Sequence, residues 1–202
     1  MFICNMKKRT YIPFFLLCLW APLSSAAQGH IPVFPSLNGE ELEVALQDSF
    51  RPASVLDYSQ ARDTLFKLID SRNDTVYGIY SHLGIYLPPG EDPTEFLFMN
   101  GASNGINTEH SWPRSKGARE GNANSDMHHL FPSRTPVNAD RASLPFGESE
   151  DSQTLKWYYQ TETRNNIPAD RDLYSELGNQ VFEPREASKG NIARACFYFY
   201  TI

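Results

Sequence analysis

The spacing of apolar residues changes several times along the chain and divides it into regions. After Asn38-Gly39, the residues Leu42, Ala45 and Leu46 recur at helical spacing behind Glu40 and Glu41, acids that favour a first helical turn. A second stripe, Ala61, Leu65, Leu68 and Ile69, predicts a helix over Ser59–Arg72. From Val76 the period becomes two. Tyr77, Ile79, Leu83, Ile85 and Leu87 alternate with Val76, Gly78, Tyr80, His82, Gly84 and Tyr86, as in a strand with one apolar face. Pro88-Pro89-Gly90 ends it, Phe96–Met99 is a second candidate strand, and Asn100–Gly105 reads as a loop. Residues 148–190 are polar and irregular apart from Trp157-Tyr158-Tyr159. A last helix is expected from Asn191, with Ile192, Ala195, Cys196, Phe199 and Ile202 on one side. Helices and strands without a βαβ rhythm indicate an α+β domain.

The start of the chain follows a different pattern. Lys7, Lys8 and Arg9 precede the apolar run Tyr11–Trp20, and Leu23-Ser24-Ser25-Ala26-Ala27 supplies small residues for cleavage. This order is that of a secretory signal peptide over residues 1–27, and the run is shorter than the ~20 apolar residues that span a bilayer. The expected product is secreted or periplasmic, leaves no membrane segment behind, and is a monomer. Residues 28–50 then form a polar, proline-bearing arm and the first short helix, and residues 51–202 one domain. The hydrophobic fraction is 41% and the charged fraction 21%, which excludes collagen, coiled coil and wholesale disorder. Cleavage would remove three bases and no acid, so the mature chain is more acidic than the formal net charge of -6. Cys4 and Cys18 leave with the leader. Cys196 alone allows neither an internal disulfide nor a thiolate zinc site, so a packed core must stabilise the domain.

Against this acidic background, residues 107–141 reverse the local charge. Arg114, Lys116, Arg119, Arg134 and Arg141 face Glu109, Glu120, Asp126 and Asp140. Glu109-His110, Asp126, His128-His129 and Asn138 lie in the same stretch. A carboxylate and a carboxamide oxygen are hard donors suited to Mg²⁺ or Ca²⁺. An imidazole takes a proton from water near neutral pH, and arginines grip phosphate in two-pronged fashion. Together these are the parts for phosphodiester hydrolysis. Each also has a structural reading: His128-His129 as a strand with one ring inward, Asn138 as a helix cap, Glu109-His110 as a common pair. A zinc peptidase is disfavoured, because no HExxH spacing is present.

Three runs, in order and closely spaced, carry a resemblance: Thr108-Glu109-His110-Ser111-Trp112-Pro113-Arg114-Ser115, Ser125-Asp126-Met127-His128-His129-Leu130-Phe131-Pro132, and Val137-Asn138-Ala139-Asp140-Arg141. The chain resembles the secreted bacterial endonuclease I family, non-specific nucleases of the ββα-metal (His-Me finger) type. The likeness extends to Val76–Tyr80, Pro145-Phe146-Gly147 and Lys189–Ala195, and so covers residues 55–202. It implies a strand ending at His110, a strand over Asp126–Phe131 and a helix beginning near Thr135. It implies Glu109 and Asn138 as ligands of Mg²⁺, with Ca²⁺ or Mn²⁺ as alternatives, and His110 as the general base. Arg141 becomes the candidate phosphate clamp, with Arg134 behind it and Arg114 nearby, while Asp126, His128 and His129 support the site. The implied partners are DNA and/or RNA, held through phosphates.

Some members of that family carry disulfides and a longer insertion between the histidine and the asparagine, with a phosphate-binding arginine in it. Here only 27 residues separate His110 from Asn138. Members also usually continue further, so the resemblance implies a chain truncated at its C-terminus, with its last helix incompletely supported. The alternative function is a nuclease-like nucleic-acid-binding module that has lost activity.

Overall fold

The computed structural model describes residues 32–101 and 104–202, so the expected leader and Ala102-Ser103 lie outside the described residues. Residues 32–36 form a short turn, and Leu37–Ile202 forms one compact unit. Helix α1 spans Gly39–Phe50 with Glu40 and Glu41 in its first turn, as expected. Asp57 starts α2 (Tyr58–Thr64) by accepting the Gln60 N–H at 3.0 Å, and the chain continues into a π-helical turn, Leu65–Ile69. That wider turn changes which residues face inward. Ala61 and Leu65 are buried as the stripe predicts, but Phe66 takes the next core position, and Leu68 and Ile69 are 71% and 54% exposed. Ser71–Arg72, expected to be helical, is strand β1.

The alternating stretch 76–87 is not one strand but a hairpin, β2 (Thr75–Tyr77) and β3 (Gly84–Tyr86), with β1 on the other side of β2. The Gly78 N–H donates to Leu83 O and the His82 N–H to Gly78 O, both at 2.8 Å, and His82 adopts φ +57°. The reversal breaks the parity of the pattern. Val76 and Tyr80 are wholly buried on the way in, Leu83 and Leu87 are largely buried on the way back, and Tyr77 is exposed. Phe96–Met99 is also corrected, to the end of helix α3 (Pro93–Met99). Asp92 accepts the Glu95 N–H at 2.7 Å and Pro93 supplies a preset first turn, a local signal that outweighs the strand preference of the phenylalanines.

Strand β4 (Ile106–His110) pairs antiparallel with β5 (Leu130–Arg134), setting Glu109 opposite Phe131 and His110 opposite Leu130. Helix α4 (Thr135–Arg141) follows β5 directly, completing a ββα unit. The chain before β5 is not strand as expected, because Asp126 caps a 3₁₀ turn, Met127–His129. Gly105 places the start of β4 against α4. A Cβ there would collide with the Phe98 carbonyl, and the Gly105 carbonyl accepts both the N–H and the hydroxyl of Thr135 at 2.7 Å.

Two cores flank this unit. Leu65, Phe66, Val76, Leu97, Ile106 and Leu130 pack on one side, and Tyr80, Val137, Tyr158, Phe182 and Ile192 on the other. The second core rests on strands within the stretch expected to be irregular. These are β6 (Lys156–Tyr159), β7 (Glu162–Arg164), β8 (Ser175–Leu177) and β9 (Phe182–Glu183), antiparallel in the order β7-β6-β8-β9. Strands of two to four residues are too short to leave a period in the sequence. Helix α5 runs from Glu186 to Thr201, so its first turn lies ahead of Asn191. The fold is mixed α+β with antiparallel sheets. Among the described residues, no helix is long and apolar enough to cross a membrane.

The register of β8 on β9 sets Glu176 opposite Glu183. Lys189 Nζ answers Glu183 at 2.7 Å, whereas buried Glu176 accepts only the Thr154 hydroxyl, also at 2.7 Å. Burial pushes the Glu176 carboxyl up to about 7, opposed by the Thr154 hydrogen bond and reinforced by the Glu183 and Asp151 charges. A folded pKa above the unfolded one means that the folded chain binds the extra proton. Stability from this site is therefore present at low pH and lost as pH rises through about 7. Glu176→Gln keeps an acceptor for Thr154. It should raise the melting temperature at about pH 8 and leave it nearly unchanged at about pH 4. Equal shifts at the two values would show that Glu176 is not the titrating group.

Candidate active site

Glu109, the penultimate residue of β4, is 3% exposed and points into the ββα unit. Its Oε1 accepts the Tyr80 hydroxyl at 2.6 Å and pairs with the Arg141 guanidinium at 2.9 Å. Burial pushes the carboxyl up to about 7, against the pull of Arg141, the Tyr80 hydroxyl and the His110 N–H. Both of these side-chain contacts are made by Oε1. One turn before Arg141 on α4, the Asn138 amide nitrogen donates to Asn107 Oδ1 at 2.8 Å and to the Thr108 carbonyl at 3.1 Å. Both amide hydrogens are thereby spent, which fixes the orientation of the group and leaves Oδ1 as a free acceptor. Helix α4 thus sets Asn138 beside Thr108 and Arg141 beside Glu109. The two oxygens not engaged by side-chain donors, Glu109 Oε2 and Asn138 Oδ1, are the hard donor types that fit a small divalent cation. Among the described residues, no three histidine, cysteine or acidic side chains gather as a metal cluster.

His110, the last residue of β4, has other neighbours. Its ring lies 5.7 Å from that of Tyr58 and 5.6 Å from that of His129. Its Nε2 sits 3.1 Å from the Asn124 carbonyl, which can only accept. Nε2 therefore carries the hydrogen, and Nδ1 keeps the lone pair. Burial lowers the imidazole to about 4, with the charges of His129 and Arg114 adding to the shift and the Asn124 bond opposing it. The ordinary value near 6.5 assumed from sequence is therefore corrected downward, and the ring is neutral well into the acid range. His129 repeats the arrangement one carbonyl earlier, with Nε2 at 2.7 Å from Ala123 O. Two imidazoles thus hold the 3₁₀ turn Gly121–Asn124 in place.

Asp126 and His128 lie on the outer side of that turn. Asp126 accepts the His128 N–H at 3.1 Å and the Tyr198 hydroxyl at 2.7 Å, and His128 Nδ1 lies 2.7 Å from it. The exposed His128 ring stacks on Tyr198 at 4.5 Å, and Phe199 stacks on Trp112 at 4.8 Å and meets His129 edge-on at 4.9 Å. These contacts fasten α5 behind the His110 segment. Asp126, His128 and His129 accordingly shape the loop: one ring, His129, is inward and the other, His128, outward as considered from sequence, but on a 3₁₀ turn and not a strand.

The arginines read as phosphate clamps are placed otherwise. Arg141, 1% exposed, donates to the carbonyls of His110 at 3.1 Å and Ser111 at 2.8 Å besides pairing with Glu109. Arg134, 5% exposed, donates to Asn104 Oδ1 at 2.8 Å and to the Glu162 carbonyl at 2.9 Å. The Arg134 guanidinium is spent on holding the protein together, and so are both terminal nitrogens of Arg141, whose buried Nε–H has no acceptor among the described residues. Arg114 is exposed, with its Cζ 5.8 Å from the centre of the Tyr58 ring. Sequence reasoning missed Tyr80, which the period-two pattern put on the polar side of a strand. It also missed Tyr58 and the Asn124 carbonyl, and a backbone acceptor leaves no signal in a sequence.

An α+β chain whose ββα unit brings together a buried carboxylate, an oriented carboxamide and a neutral imidazole has the equipment of a nucleic-acid hydrolase. Residues 38–202 match the endonuclease I family, and the chain belongs to it. No curated protein matches the chain. It is therefore a nuclease, a hydrolase with a nucleic-acid substrate, of a family that uses a divalent metal.

Arg141→Met keeps the length of the side chain and leaves Glu109 buried without its cation. Stranding a buried charge typically costs about 3–5 kcal/mol, which urea unfolding will register. An arginine that served phosphate alone would instead leave unfolding unchanged.

Proposed function

We propose that the chain is a secreted or periplasmic, Mg²⁺-dependent endonuclease that hydrolyses phosphodiester bonds of DNA, RNA or both with little sequence preference. One observation carries the reading: His110 is buried, neutral and fixed by Nε2 on the Asn124 carbonyl, next in sequence to a carboxylate that Arg141 and Tyr80 hold by one oxygen. The basic, apolar and small-residue order of residues 1–27 supports export. Recognition through phosphates and not base edges gives cleavage without sequence choice.

In this reading Glu109 Oε2 and Asn138 Oδ1 hold the cation, and Mg²⁺ suits a site of few oxygen ligands completed by water. The cation supplies positive charge for the phosphate and for the leaving oxygen. His110 Nδ1 takes the proton of the attacking water, and the Asn124 carbonyl, by holding Nε2–H, keeps that lone pair aimed and available. Arg141 and Tyr80 act as positioning residues that stop Glu109 from rotating. Arg141 further ties down the carbonyls at the end of β4, so the base and the carboxylate keep a fixed relation.

Plasmid nicking tests this directly. The wild-type protein should cut with Mg²⁺ and stop with EDTA, and folded His110→Ala should lose about 10²–10⁴ in rate, the usual contribution of a general base. End-mapping of the products should give a ladder without a dominant motif. Nucleic-acid binding without any cleavage would identify the inactive binding module instead, and cleavage by His110→Ala at the wild-type rate would end the assignment of the base.

A further inference from the structure

With Arg134 and Arg141 committed to the protein, some other group must receive the substrate's negative charge beside His110. Tyr58, the first residue of α2, stands with its ring 5.7 Å from the His110 ring. Two guanidinium groups rest on that tyrosine: Arg62, one turn further along α2, with Cζ 4.7 Å from the ring centre, and Arg114, from the turn after β4, at 5.8 Å. Among the described residues, neither makes a hydrogen bond or an ion pair. The Arg62 Nε–H is buried with no acceptor. Other arginines are answered by the protein, Arg171 by Asp151, Arg185 by the Ile79 carbonyl and Arg194 by Asn191.

Two like charges against one ring repel, and a buried donor without an acceptor is costly. An anion beside the ring relieves both. Arg62 also lines a cleft of 460 Å³ together with Ser59, Asn107 and Thr108. Thr108 Oγ1 there is likewise buried without a partner, and Asn107 is the residue that receives the Asn138 amide. The cleft thus opens along the first half of β4, at Ile106, Asn107 and Thr108. Asp92 and Glu95 also line it, with Asp92 engaged in capping α3, so an anion is received on the Arg62 side.

We infer that Arg62 and Arg114, set against Tyr58, are the substrate-binding pair that seats a nucleic-acid phosphate beside His110. This rests on the nuclease reading of the His110 site. The paired forks suit phosphate oxygens, and the tyrosine face fixes the guanidinium planes.

The test uses the full chain carrying His110→Ala, so that a short DNA duplex in Mg²⁺ stays uncut, and follows affinity against salt. Adding Arg62→Gln should weaken binding roughly 10–100-fold, the scale of a lost charged hydrogen bond. It should also flatten the plot of log affinity against log salt by about 0.9, one phosphate contact fewer. Arg62→Lys should restore the slope but not the full affinity, since it keeps the charge and loses the fork. Arg114 is exposed, so Arg114→Gln repeats the test without touching the core. With His110 intact, Arg62→Gln should raise KM more than it lowers kcat. A wild-type chain that cuts DNA, with Arg62→Gln and Arg114→Gln both unchanged in affinity, salt slope and KM, overturns this inference alone. A wild-type chain that neither binds nor cuts nucleic acid overturns both readings together.

Discussion

The Glu109–Arg141 pair is the contact on which the rest of the arrangement depends. Both side chains are almost wholly removed from water, so the pair is bought with two desolvations and holds only while every partner is in place. Through its two terminal nitrogens Arg141 reaches three consecutive residues of the chain, the Glu109 carboxylate and the carbonyls of His110 and Ser111. It therefore fixes the end of β4 to the last turn of α4. Tyr80, from the loop of the β2–β3 hairpin, donates to the same carboxylate oxygen and ties in a third element. A domain is stable by only about 5–15 kcal/mol, so a contact worth several of these is a constraint on the fold as well as on the site.

From that fixed strand end the remaining parts follow in order. Asn138 lies one helical turn before Arg141, so the pairing of Arg141 with Glu109 sets Asn138 against Asn107 and Thr108. His110, the next residue along β4, leaves toward Tyr58 and His129, where the Gly121–Asn124 turn takes its Nε2–H. Helix α5 closes the back of this turn through Tyr198 on Asp126 and Phe199 on Trp112 and His129. The helical stripe ending in Phe199 is thus packed, while Phe197 and Tyr200 are each 72% exposed.

The strand and helix that carry the candidate residues were more legible in the sequence than the elements around them. Short ordered motifs fix side-chain types at fixed separations, and the ends of β4 and α4 follow from His110 and Thr135 closely. The elements that went wrong share a cause: local geometry changed the period. A π-turn at Leu65–Ile69 rotated the helical stripe, and a reversal at Gly78–Leu83 flipped the parity that put Tyr80 on the polar side. At Asp92-Pro93 a cap signal precedes four apolar residues that resemble a strand, and the cap decides the outcome. For β6 to β9 the strands are too short to show alternation at all. The roles of Arg134 and Arg141 were out of reach for another reason. Sequence gives the charge of an arginine but not whether protein carbonyls have already taken its donors.

The account holds that α4 and β4 present Glu109 and Asn138 as the two protein ligands of a cation, while His110 stands apart as the base. Calorimetric titration of Mg²⁺ into the protein without nucleic acid measures this most directly. Binding should be lost or much weakened in Glu109→Gln and in Asn138→Ala, and nearly intact in His110→Ala. The reverse pattern, with metal binding lost in His110→Ala and kept in the other two, would contradict the account by showing that ligand and base have been exchanged.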